Sequence, residues 1–232
     1  MPQTVNGIGT SVCPARGFTK PQGSNSANYD AVICVVVFYM PIIPLRAVHT
    51  HSWRGTGYVE CPIRWSPDLV FWAFARRYAL LAAVVGIFMG FAAVTGTSGH
   101  GMQWGLIGGT AAVCTLGFGL IYAFGQADAR HRAIRALIGT HRLGSSDPAH
   151  WTEDILKNVA VSMELFGTPT DTAAVPGLIE KKDFGMAMYA ARLAVAREDR
   201  GAGEALTDKI LHDPGARAVI DQAPKVSFWS SM

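Results

Sequence analysis

From Tyr78 to Ala127 the chain runs for 50 residues without one Asp, Glu, Lys or Arg. A soluble domain has few places for such a stretch. Only 16% of all residues are charged, against roughly 25% in an ordinary soluble domain, and the deficit is concentrated in this window. A hydrocarbon core of about 30 Å takes roughly 20 helical residues at 1.5 Å each. The window is therefore too long for one span and fits two with a turn between them. Thr95-Gly96-Thr97-Ser98-Gly99-His100-Gly101 supplies the turn, with three glycines among small polar residues.

Ser66-Pro67-Asp68 reads as an N-cap, a proline at the first helical position and an acid in the first turn. The first helix is predicted over about 67–94 and the second over about 103–126. The second then continues without a breaker into a basic stalk, 127–139, which Gly139 can cap. Trp72, Arg76 and Arg77 near the start of the first span, and Arg130 and Arg132 after the second, are the expected headgroup anchors. The intervening loop has no Lys or Arg, so the positive-inside rule puts both termini in the cytoplasm and makes the chain multi-pass. The first thirty residues are rich in Gly, Ser, Asn and Pro and contain no apolar signal core, which agrees with a cytoplasmic amino terminus. Gly86 and Gly90 in the first span, and Gly105 and Gly109 in the second, have the four-residue spacing that lets helices approach closely. Neither span carries an ionisable Asp, Glu, Lys or Arg to mark an ion pathway. An oligomeric channel is a second alternative, lined by backbone or small polar groups.

Residues 31–45, Ala-Val-Ile-Cys-Val-Val-Val-Phe-Tyr-Met-Pro-Ile-Ile-Pro-Leu, form another apolar run. As a helix it would reach only about 22 Å, and Pro41 and Pro44 would break it. Its β-branched and aromatic content predicts a buried strand entering a proline corner, or one docked on the membrane surface, with a transmembrane or re-entrant segment as the alternative. Gly55-Thr56-Gly57 offers a turn and Tyr58 to Ile63 a return strand. Cys13, His49, His51 and Cys61 supply four nitrogen and sulfur donors around this unit, the number a zinc site wants, although their spacing fits no ligand knuckle. Structural cysteines and surface histidines explain the same residues.

Past the stalk, Asp147-Pro148 marks a helix start, and Trp151, Ile155, Val159, Met163 and Phe166 share one face up to Gly167 and Pro169. A second amphipathic stretch, Pro176 to Asp199, places Phe184, Ala187, Met188, Ala191 and Val195 together. Gly201 and Gly203 then interrupt, ahead of short helices over 204–212 and 216–222. No nucleophile elbow, phosphate loop, dinucleotide fingerprint or zincin motif is present. A formal net charge of +3 gives no basic face for nucleic acid.

Val36-Val37-Phe38-Tyr39-Met40-Pro41-Ile42-Ile43-Pro44-Leu45-Arg46 and His141-Arg142-Leu143-Gly144-Ser145-Ser146-Asp147-Pro148 resemble segments of bacterial membrane proteins of unknown function, which carry an "lPliPl" segment ahead of a two-helix membrane hairpin. The resemblance implies a bacterial inner-membrane location and supplies no activity. The expected fold is mainly α: a two-helix transmembrane hairpin (65–126), a small amino-terminal cytoplasmic β unit (1–64), the stalk, and a carboxy-terminal cytoplasmic helical domain (140–232). The expected role is a membrane interaction or scaffold subunit without catalysis or cofactor, whose partners are the lipid bilayer and a protein or a second copy. The alternative is a membrane-anchored zinc or thiol protein using Cys13, His49, His51 and Cys61.

Overall fold

A computed structural model describes residues 4–5, 8–19, 28–53, 57–95, 128–139, 146–165, 171–197 and 199–223, with short helical stretches at 108–110, 112–114 and 116–117 and at residue 119. Five strands lie side by side in chain order: β1 (Thr4–Val5), β2 (Ile8–Thr19), β3 (Asn28–Val37), β4 (Met40–Trp53) and β5 (Gly57–Pro62). The β4–β5 pair is antiparallel, with His49 opposite Cys61 and Trp53 opposite Gly57. The helices are α1 (Pro67–Thr95), α2 (Ala129–Gly139), α3 (Glu153–Leu165), α4 (Val175–Glu180), α5 (Phe184–Arg197), α6 (Arg200–His212) and α7 (Pro214–Gln222).

The expected mainly α fold on a two-helix transmembrane hairpin is corrected by this arrangement. The strands form a five-stranded sheet. Among the described residues a single helix, within α1 at Pro67–Phe88, is long and apolar enough to cross a membrane. Most of 103–126 lies outside the described residues. A missing charge constrains which solvent a segment tolerates; it does not fix how many helices the segment makes. The sheet is also larger than expected, because β2 buries Cys13 and Ala15, side chains too small to give a hydrophobic alternation.

The chain divides into two compact units that interleave in sequence, the first 1–16, 31–46 and 66–126, the second 17–30, 47–65 and 127–232. In the first unit, Ser66 Oγ accepts the Leu69 N–H at 3.2 Å, and Pro67 and Asp68 fill the first turn of α1. Leu69, Ala73, Arg76, Ala79, Ala83 and Gly86 form one buried stripe at helical spacing. Arg77 donates to the Val12 carbonyl, Arg16 pairs with Asp68, and the Tyr78 hydroxyl donates to the Pro41 carbonyl at 3.0 Å. The opposite side of α1 exposes Phe71, Leu81, Val84, Val85, Ile87 and Phe88. The turn between β3 and β4 is Phe38-Tyr39, both left-handed with φ of 50° and 64°. Two-residue hairpins favour Asn-Gly here, and a bulky residue held in this region costs about 1–3 kcal/mol.

In the second unit α5 is the centre, with every residue from Phe184 to Ala194 buried. The sequence pattern indicated a one-sided helix; alanines at 187, 190, 191 and 194 let neighbours close in on its other sides. Gly203 is where α6 crosses α5: an added Cβ would sit 2.7 Å from Val195 Cγ2 and 2.8 Å from the Ala191 carbonyl oxygen. Gly201 and Gly203 therefore lie inside α6 rather than interrupting it. The stalk is no free rod either, because α2 buries Ile134, Arg135, Leu137 and Ile138 and packs on α5. Ile63 bridges to Trp151, and the Arg64 N–H donates to the His150 carbonyl.

Candidate functional site

The chemistry of the second unit is concentrated in buried charges. Asp30, at the start of β3, receives the Arg135 guanidinium of α2 on Oδ2 and His49 Nδ1 of β4 on Oδ1 at 2.8 Å. All three are buried to within a few per cent. With its Nδ1 hydrogen given to Asp30, His49 cannot also accept from Arg135 Nη1 at 3.4 Å, so that approach is a contact rather than a third bond. Burial opposes ionisation of Asp30, yet the charge of Arg135 and the His49 hydrogen bond hold its carboxyl well below the usual range.

A second cluster surrounds Asp147. Its Oδ1 accepts the Ala149 N–H at 3.0 Å, which caps the 3-10 turn Pro148–His150, and Arg192 Nε at 3.0 Å; Oδ2 accepts Arg192 Nη2 at 2.9 Å. Asp147 thus provides a cap, and Ser146 Oγ is taken by Trp151 Nε1 at 2.7 Å. Burial opposes the Asp147 charge as well, but His150 and Arg192 keep its carboxyl low. Arg192 continues to Glu204 at 3.1 Å, and Arg130 joins Glu204 at 2.7 Å and Asp208 at 2.8 Å. Negative and positive groups alternate along this chain of contacts, so each charge is neutralised by its neighbours.

His131, Asp147 and His150 offer donor atoms within 4.8 Å of one another, the histidine rings stacked at 5.1 Å. By donor type they suit a borderline divalent cation such as zinc. The carboxylate, however, already holds a guanidinium through two nitrogens. A dication at Asp147 would sit against the Arg192 charge, and the arrangement is that of an ion-pair network carrying two histidines.

Of the quartet expected for zinc, His49 and Cys61 are paired opposite each other on β4 and β5. Cys13 belongs to the first unit, where it neighbours Cys34 and Arg77. The hydrogen bond from Cys34, opposed by burial and aided by the Arg77 charge, lowers its thiol to about 7, while Cys34 is pushed upward. His49 is committed to Asp30, and burial raises Cys61, which lies beside Ser146. The side chain of His51 lies outside the described residues. Among the expected helix-packing glycines, Gly86 is buried, Gly109 is exposed with open space where a side chain would begin, and the surroundings of Gly90 and Gly105 lie outside the described residues. Of the expected anchors, Trp72 and Arg77 are half-buried, Arg76 is buried, Arg132 is exposed, and Arg130 is held by α6 carboxylates.

Sequence reasoning missed Asp30, Arg135 and Arg192. The available signal was a lone cation in each of two otherwise apolar helix faces and a lone acid opening an apolar strand. Compared with family models, curated proteins and solved structures, the chain matches none.

Proposed function

We propose that this chain is a membrane-attached interaction or scaffold subunit of the bacterial inner membrane, held in the bilayer through α1. One observation carries the attachment: α1 is long and apolar enough to cross, and its outward side leaves Ile87 63% and Phe88 73% exposed. Lipid removes that surface from water at roughly 25 cal/mol per Å². The second unit contains both the residues just before α1 and everything from Ala127 onward, and Arg64 is hydrogen-bonded to His150. Both sequence flanks of α1 belong to this one unit, which supports a multi-pass location with that unit on one side. Exposed Arg64 and Arg132 lie on that side and support a cytoplasmic assignment by the positive-inside rule. The scaffold role is supported by the way the buried carboxylates Asp30 and Asp147 are each used by an arginine, holding elements together rather than facing a substrate.

Alkaline carbonate extraction of membranes from cells making the tagged chain tests attachment, and the reading predicts retention in the pellet. Mild-detergent extraction followed by native mass measurement tests the scaffold role, with the expected species larger than one chain. Release by carbonate would overturn the first part, and a monodisperse single chain the second. Protease added to intact spheroplasts should leave the second unit uncut; cleavage there would reverse the orientation.

A further inference from the structure

The membrane reading of α1 leaves a second apolar surface in the same unit without a cover. At the β3–β4 turn Phe38 is 76% and Tyr39 61% exposed, although both occupy the left-handed region that disfavours bulky side chains. Side chains this exposed gain no packing that would offset the strain. Beyond the turn, Ile42, Ile43 and Leu45 are each about half exposed or more. Adjacent strand residues point to opposite faces, so Ile42 and Ile43 leave apolar surface on both faces of the hairpin tip, while Pro41 between them and the turn is buried.

The level of this tip on α1 is fixed by the bond from the Tyr78 hydroxyl to the Pro41 carbonyl at 3.0 Å. Tyr78 begins the uncharged part of the helix, directly after Arg76 and Arg77. Within the apolar stretch Pro67–Phe88, Arg76 and Arg77 are the last charges, so the part that acyl chains tolerate without a charge begins at Tyr78, which puts Tyr78 at the headgroup boundary. The tip lies at the same boundary. Aromatic residues favour that level. Pro41 and Pro44 lack the N–H groups that lipid could not satisfy, and the Tyr78 hydroxyl supplies a donor for the Pro41 carbonyl. Exposed Arg46 follows the apolar run where the strand leaves toward water.

We propose that the β3–β4 tip, Phe38 to Leu45, is a membrane-inserted hairpin that enters the acyl boundary of the bilayer beside α1, a role that rests on the attachment of α1 itself. Its occupant is lipid, reached at the shallow depth of interfacial elements. It gives the first unit a second contact with the bilayer and fixes how that unit is rotated about the axis of α1. The strained aromatic turn is retained because Phe38 and Tyr39 are the residues that enter.

The test uses the full chain in phospholipid vesicles, with the photo-crosslinker p-benzoylphenylalanine in place of Phe38, of Phe88 on α1, or of the exposed Lys181 in the second unit. Lipid adducts read by mass spectrometry are expected at 38 and 88 and not at 181. Adducts at 88 without adducts at 38, or a protein adduct at 38, overturn the hairpin and leave the attachment of α1 standing. Absence of adducts at 88 overturns the attachment reading, and the hairpin with it. A second variant guards against misfolding: Phe38→Asn with Tyr39→Gly gives the turn residues the backbone prefers. It should fold at least as well in detergent, while lipid adducts from the crosslinker at Ile43 fall severalfold. Unchanged adducts at 43 would refute the role assigned to the two aromatics.

Discussion

Arg135→Met should be the most damaging conservative substitution in the second unit. Arg135 and Asp30 are 2% and 3% exposed in their side chains, so neither charge is solvated when the other is absent. Methionine fills the volume of the arginine stem but leaves Asp30, among the described residues, with the His49 hydrogen bond and the more distant His150. Breaking one side of a buried pair costs about 3–5 kcal/mol. In a chain of this size each kcal/mol moves the midpoint by roughly 2–4 °C, so the variant should unfold about 6–20 °C lower. Thermal unfolding in mild detergent, followed by tryptophan fluorescence, measures the shift. Removing both charges together, with Asp30→Leu added, should recover most of the loss, because the pair also carries a desolvation cost. His49 then loses its hydrogen bond to Asp30, which leaves a residual deficit of about 1 kcal/mol. If Arg135→Met alone shifts stability by less than about 1 kcal/mol, or if the two substitutions simply add, the buried pair does not hold the unit together.

Three further outcomes follow from the same geometry. Gly203→Ala should push α6 off α5, since its methyl group meets the Ala191 carbonyl and the Val195 backbone nitrogen as well as a side chain, and should lower stability by about 1–3 kcal/mol in a denaturant titration. Trp151→Phe keeps the ring beside Tyr189 but removes the indole donor from the buried Ser146 hydroxyl, which keeps the Cys61 thiol, for a loss of about 1 kcal/mol by the same titration. Asp30 and Asp147 both have lowered carboxyl pKa values in the fold, so below about pH 4 the unfolded chain binds more protons than the folded one. Their stabilisation is present above that pH and is lost as pH falls through the folded values: midpoints should drop below about pH 4, with Arg135→Met less acid-sensitive than the wild type there.

What could be read from the residues was local. Ser66-Pro67-Asp68 announced the start of α1, and the β-branched run before Pro41 announced β3, because caps and strand-formers act within a few positions. Asp147 was legible as a cap for the same reason, and it does accept the Ala149 N–H. Its second partner, Arg192, was not legible: it is 45 positions away and sits in a stretch whose periodicity suggested a solvated far side. The count of membrane helices failed differently. Fifty uncharged residues are compatible with more than one arrangement, and hydropathy does not choose between them. β2 went unread because Cys13 and Ala15 are fully buried without being large, so burial left no trace in the hydrophobic pattern.

The interleaved order of the two units has a cost during synthesis. Asp30 leaves the ribosome 105 residues ahead of the arginine that neutralises it. At roughly 5–20 residues per second, the wait is about 5–20 s. For that interval the opening of β3 carries an unpaired acid beside a strongly apolar strand, and α1, which ends at Thr95, is made before Arg135 emerges. Early delivery of α1 to the bilayer would shelter the apolar strand while its acidic end stays in water, and Arg135 would then neutralise that acid before Arg192, Glu204 and Asp208 complete the second unit. A variant that delays membrane targeting should accumulate as aggregate even though no contact of the finished fold has been altered.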